Sequence, residues 1–215
     1  MANTASPYGL RPVKLIGSQQ YSGAFREFKL STNNSAAIFN GDVIQLTSAG
    51  NPQSLTSTPV AIKIPATSAD ATAGVVGVCV GVRYVNPVTK QQMFGQYLPA
   101  NAITAGFTDV YVRVADDPDL IFQVQGSAAF GTLTNGAAGA IGKNAALGNF
   151  SAGNTATGNS GVNLVVGANG GSLAATSTLA MRIIDVVPGT ENDTYPELLV
   201  KFNVGVHSYN NSLGV

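Results

Sequence analysis

Charge is scarce in this chain. Of its 215 residues only 11 are Lys or Arg and 11 are Asp or Glu, 10% in all, against the roughly 25% of an ordinary soluble domain. Its surface must therefore be covered by Ser, Thr, Asn, Gln and Gly. A formal net charge of zero argues against a general nucleic-acid binder, which needs a basic face. One cysteine, Cys79, excludes an internal disulfide framework and the multi-cysteine zinc motifs. One histidine, His207, excludes His-pair metal sites. Tryptophan is absent, which weakens a module that stacks sugar rings on exposed aromatics. The longest apolar run, from Val75 to Val82, is too short to cross a bilayer as a helix. Met1 to Pro7 shows neither the basic stretch nor the apolar core of a secretory leader. No membrane association is expected.

Low charge does not mean disorder here. Disordered chains combine few apolar residues with high net charge, whereas this one is 45% apolar with a mean hydropathy of +0.19. The length suits one domain. Residues 1–25 read as an extended arm, because Pro7, Gly9, Pro12, Gly17 and Gly23 recur too closely for a helix or a long strand. An ordered N-terminal strand is the alternative. Charge is sorted as well as scarce. Arg11, Lys14, Arg26 and Lys29 face only Glu27 in the first 29 residues, a net of +3, which leaves −3 for the rest. A basic arm on a neutral body fits an acidic neighbouring surface.

Residues 26–215 are expected to form a single β domain. Val76, Val78, Val80, Val82 and Tyr84 alternate with Gly77, Cys79, Gly81 and Arg83, which marks a strand with one heavy and one light face. The same period of two runs through 109–115 and 197–206, with shorter candidates at 26–31, 36–39, 42–47, 59–64, 91–98, 120–125, 162–166 and 179–187. Asn40-Gly41 is a hairpin signal, since both residues accept positive φ. No 3.6-residue pattern lasts three turns. The fold class is mainly β, an antiparallel barrel or sandwich of jelly-roll or tulip-like kind that leaves few open edges. Residues 126–177, rich in Gly, Ala and Asn, form an insertion that reads either as a flexible linker or as a close-packed small-residue surface.

Chemistry-bearing motifs are few. Gly136-Ala137-Ala138-Gly139-Ala140-Ile141-Gly142-Lys143-Asn144 fails as a phosphate loop, because Ala137 stands where the first glycine belongs and Asn144 replaces the magnesium-binding hydroxyl. Asp116-Asp117-Pro118-Asp119 offers three carboxylates to a calcium ion, but lacks the EF-hand spacing and reads first as a turn between strands. His207 and Ser208 have no nucleophile elbow beside them. Cys79 sits in a Val-rich strand as a small hydrophobe. No enzyme, cofactor or metal site is expected.

Several segments, in order, carry a resemblance. They are Pro7-Tyr8-Gly9-Leu10-Arg11-Pro12-Val13, Tyr21-Ser22-Gly23-Ala24, Ile38-Phe39-Asn40-Gly41-Asp42-Val43 and Gly77-Val78-Cys79-Val80-Gly81-Val82-Arg83-Tyr84. Gln96-Tyr97-Leu98-Pro99-Ala100 follows, then the run from Val114 to Gln125, the run from Leu179 to Asp185 and the run from Glu197 to Phe202. Together they resemble structural proteins encoded in the head-gene region of tailed bacteriophages, over nearly the whole chain. The resemblance implies a capsid decoration or cement protein, made in the host cytoplasm and bound to the outer face of the virion shell. Its implied partners are the major capsid protein and further copies of itself, with a trimer favoured by symmetry. On that reading Arg11, Lys14, Arg26 and Lys29 meet acidic capsid residues, and Tyr8, Leu10, Tyr21 and Phe25 serve as apolar anchors. A head-fibre or tail accessory module that binds host-surface glycans is the alternative.

Overall fold

The computed structural model describes residues 4–17, 19–32, 34–46, 60–63, 75–150, 152–203 and 205–210. The fold is mainly β, as expected, and is built from two curled sheets that share a wall.

The first sheet is antiparallel throughout. Its order is β1 (Arg11–Leu15), β10 (Leu120–Gln125), β16 (Glu197–Phe202), β15 (Met181–Val186), β11 (Asn144–Gly148) and β14 (Asn163–Val165). Gly126, just past β10, bridges Leu164 of β14, so this sheet curls back on its own second strand. The second sheet runs β4 (Val43–Leu46), β5 (Val60–Lys63), β2 (Arg26–Leu30), β9 (Thr108–Ala115), β6 (Val75–Val85) and β7 (Gln92–Gly95). β4 also pairs with β6, and the hydrogen-bonded ladder of β4, β5, β2, β9 and β6 thereby closes into a five-stranded barrel. Closure removes edges that would otherwise template aggregation. The β2–β5 pair is parallel, the one departure from antiparallel pairing among the described ladders. Two short ladders complete the fold: β3 (Ile38–Phe39) with β8 (Tyr97–Leu98), and β12 (Gly153–Asn154) with β13 (Asn159–Ser160).

Each curled sheet holds its own core, and β6 serves both. Val76, Cys79 and Val82 point into the barrel, while Val75 and Val78 point into the core of the first sheet. β4 divides in the same way, with Ile44 in the barrel and Val43 outside it, as does the end of β9 with Val114 and Ala115. A strand buried on both faces must be apolar at nearly every position, which explains the unbroken Val-rich run. The heavy and light faces expected of this strand are therefore not found. Irregularities between Cys79 and Gly81 shift the register against β9, and such a bulge re-aims every side chain beyond it. Gly77 is required by close approach: a Cβ there would lie 2.1 Å from the carbonyl oxygen of Ala115.

Two turns fall where expected, and each carries the chain from one sheet to another. The Asn40-Gly41 turn exists, closed by the Asp42 N–H on the Phe39 carbonyl at 3.1 Å. Its flanking strands β3 and β4 do not form a hairpin, because each pairs in a different sheet. Likewise the turn at 116–119 leads from β9 in the barrel to β10 in the first sheet.

The N-terminal segment is not a free arm over its described length. β1 is an edge strand on β10, and Leu10 is fully buried in the first core. Pro12 is tolerated there because an edge strand has an unpaired side. Residues 19–21 fold back over that side, with Leu15 N–H on Gln19 O and Tyr21 N–H on Val13 O. Residues 126–177 are likewise built into the body: the stretch supplies β11 and β14, and Phe130, Leu147, Phe150, Val162 and Leu164 lie in the first core. The linker interpretation of this stretch is overturned, since those side chains are buried in the first core and the stretch pairs as strands of the first sheet. No helix among the described residues is long and apolar enough to cross a membrane.

Candidate functional site

The eight residues singled out from the sequence fall in three places. At the edge of the first sheet, the Tyr8 hydroxyl donates to a carboxylate oxygen of Glu197 on β16, and the Arg11 guanidinium lies 4.2 Å from the Tyr8 ring centre. Burial and the Glu197 carboxylate hold the Tyr8 hydroxyl well above the ordinary tyrosine value. Lys14 is half-buried on β1. Leu10 has no exposed surface and cannot anchor a partner, a correction that follows from its place in the core.

The second place is the seam between the sheets. Tyr21, Phe25 and Arg26 line a cavity of about 190 Å³ together with Leu15, Asp116 and Leu120. The Tyr21 hydroxyl donates to Ala24 O at 2.8 Å, and burial followed by the Asp116 charge raises its pKa. Arg26 is not free for an outside carboxylate: its Nη2 lies 2.5 Å from Asp116 Oδ2 and its Nε donates to the same oxygen at 2.6 Å. Tyr209 OH also donates to that oxygen, at 2.9 Å.

The acidic turn is thereby accounted for. Asp116 is held by Arg26 and Tyr209, Asp119 receives Lys201 Nζ at 2.6 Å, and Asp117 Oδ1 accepts the Asp119 N–H at 2.8 Å. The carboxylates diverge to separate partners, and among the described residues no group of three His, Cys, Asp or Glu is gathered for a metal. His207 is buried, with Nδ1 accepting the Tyr209 N–H at 3.3 Å. Its Nε2 and the Ser208 Oγ each lack a hydrogen-bond partner, so the neighbouring pair forms no serine–histidine couple.

The third place is the outer face of the barrel, where Lys29 lies beside residues the sequence did not single out. Lys29 on β2 stands opposite Tyr111 on β9, Tyr111 opposite Arg83 on β6, and Arg83 opposite Phe94 on β7. One step along, Glu27 stands opposite Arg113. Residues two apart on neighbouring strands share a face, so these side chains form one continuous surface. The Glu27 carboxylate receives Arg83 Nη2 at 2.8 Å and Arg113 Nε at 3.2 Å. Arg83 foremost, with Arg113 adding to it, holds the Glu27 carboxyl below its ordinary value against a partial desolvation cost. Arg83 lies 4.2 Å from the Tyr111 ring centre. Arg113 is clasped between Phe25 at 4.9 Å and Phe94 at 4.7 Å.

Phe94 is 60% exposed and Phe25 44%. Arg, Phe, Tyr and Met are the types enriched at the centres of protein interfaces. The period of two could have placed 27, 29, 111 and 113 on one side of their strands; only the pairing reveals that those sides meet. No protein-family model, curated protein or solved structure matches the chain.

Proposed function

We propose that this chain is a structural protein that works by binding, a decoration or cement protein on the outer surface of a tailed-phage capsid, where it braces the shell against packaged DNA. The reading is carried by where the resembling segments meet. Gly9 of the first lies against Gly41 of the third, where a Cβ on either would fall within 3 Å of the other's backbone. Gly41 and Asp42 exchange backbone hydrogen bonds with Cys79 of the fourth, both at 2.8 Å. The first, third and fourth motifs thus converge on a buried node that holds the two sheets together. Their residue types serve packing, as expected of a protein whose task is rigidity.

Other features support the same reading. The seam cavity, at about 190 Å³, is smaller than the roughly 300–1,000 Å³ of a substrate pocket. Several surface charges are paired with one another: Arg26 with Asp116, Arg83 and Arg113 with Glu27, and Lys201 with Asp119. A symmetric oligomer, a trimer at a three-fold junction, would bind through many modest contacts and gain avidity from them. The folded N-terminal segment moves the expected contact from an arm to the body of the protein.

The test is made on purified particles assembled from the genome that encodes the chain. Quantitative mass spectrometry should find it in fixed ratio to the major capsid protein, and particles lacking it should release DNA at lower temperature. Shells that never contain the chain would contradict the proposal. The glycan-binding alternative draws on the exposure of Phe94 and is scored by glycan-array binding of the isolated protein.

A further inference from the structure

Arg113 is half-buried on the outer face of the barrel. Its Nε is fixed on Glu27, its guanidinium lies between the Phe25 and Phe94 rings, and its side chain keeps 28% of its surface open. Among the described residues its two terminal nitrogens have no hydrogen-bond partner. A guanidinium presents paired N–H groups in a planar fork that matches a carboxylate. Here the fork is already oriented, so little rotamer entropy remains to be lost when a carboxylate arrives.

The surroundings complete the site. Arg83, Arg113 and Lys29 stand against Glu27 and Asp109 on this face, an excess of positive charge. Phe94 is exposed on β7, next to the fork. An incoming carboxylate is drawn to the fork while an apolar neighbour settles on the rings.

We infer that the outer face of the barrel is a docking surface for an acidic protein segment, with Arg113 receiving an Asp or Glu carboxylate and Phe25 and Phe94 flanking it. This inference rests on the binding role proposed above and names the surface through which it acts. It replaces the basic N-terminal arm, whose Arg26 is occupied by Asp116.

Two arms of one experiment separate this inference from the capsid reading. In the first, the full chain is titrated with the peptide Glu-Leu-Glu-Leu-Glu-Leu at low salt, with hydrogen exchange followed at 25–29, 92–95 and 111–113. Binding should protect those segments. Arg113→Lys, which keeps the charge and loses the fork, and Phe94→Ser, a change at an exposed position, should each weaken binding at least tenfold. Arg182→Ala on the other sheet should leave it unchanged. No binding, binding that protects other segments, or indifference to both variants would overturn the inference. A wild-type dimer that Phe94→Ser dissociates would assign the face to a second copy and overturn it equally. In the second arm the same proteins are sedimented with shells lacking the chain. Failure of the wild type to bind shells contradicts the capsid proposal alone. Shell binding by wild type that Arg113→Lys and Phe94→Ser leave intact contradicts the docking surface alone.

Discussion

Ser160 Oγ donates a 2.6 Å hydrogen bond to Asp42 Oδ1, joining two buried side chains 118 residues apart in the chain. Oδ2 of the same carboxylate accepts the Phe39 N–H at 2.7 Å, and the Asp42 carbonyl accepts the Cys79 N–H at 2.8 Å. One aspartate thus ties the start of the barrel to the small-residue stretch and to β6. Replacing it by alanine strands a buried hydroxyl and an amide. Asp42→Ala should destabilise the protein by about 3 kcal/mol, and Ser160→Ala by about 1–2 kcal/mol. The double variant should cost less than the sum, since both changes remove one shared bond. Denaturant unfolding of the four proteins measures this; strict additivity would mean that the bond contributes nothing.

Gly41 and Gly9 lie back to back. Gly41 has φ +94, and a Cβ there would lie 2.9 Å from both Gly9 Cα and the Tyr8 carbonyl oxygen. Neither neighbour is a side chain that can swing aside. Gly41→Ala should cost about 3 kcal/mol from the clash and the left-handed backbone together. Gly142 has φ +82 with nothing near its missing Cβ, so Gly142→Ala should cost only about 1 kcal/mol for the backbone. Equal thermal shifts for the two variants would show that the close approach does not matter.

Leu10 and Arg11 are neighbours with opposite fates, one fully buried and the other exposed at the sheet edge. Leu10→Ala should destabilise by about 2–5 kcal/mol through the cavity it leaves. Arg11→Ala should stay within about 0.5 kcal/mol. Similar small effects at both positions would restore the free arm. Deleting residues 1–15 removes β1 and should expose the edge of β10, so loss of function on such a deletion reports unfolding and not a lost capsid contact.

Acid should weaken the fold in two steps. Burial lowers the His207 pKa, opposed by the nearby Asp116 and Asp117 charges, so the folded state favours the neutral ring. Its contribution is complete above the unfolded value near 6.5 and is lost as pH falls through the lower folded value. Glu27 is held below its ordinary 4.5 by Arg83 first, so its contribution is present above pH 4.5 and fades at more acid pH. His207→Phe keeps a ring against Phe202, whose centre lies 6.1 Å away, and should flatten the dependence of unfolding midpoint on pH below 6.5. An unchanged slope would mean that His207 does not titrate with folding.

The mainly β fold was legible because alternation is a local property, and most strand positions followed from it. Pairing was not legible. Asn40-Gly41 announces a hairpin to its neighbours, yet β3 and β4 separate into different sheets, since Val43 and Ile44 each have a different core to fill. The valine run misled in another way, for its alternation is overridden by bulges and by burial on both faces. Of the sites, Phe25 and Lys29 lie on the surface now assigned, but Arg83, Arg113 and Phe94 could not be joined to them from spacing. Glu27 and Arg83 are 56 positions apart and meet only because β9 lies between their strands. The sorted charge proved a weaker guide, because Arg26 finds its partner at Asp116 within the chain.

The most direct measurement is a density map of purified particles by electron cryomicroscopy, at a resolution that shows strands. The expected result is the two-sheet body in fixed copy number on the outer shell, its barrel face with Phe94 and Arg113 turned towards an acidic patch of the major capsid protein. A shell without this density, in particles whose other head proteins are complete, would contradict the proposed role.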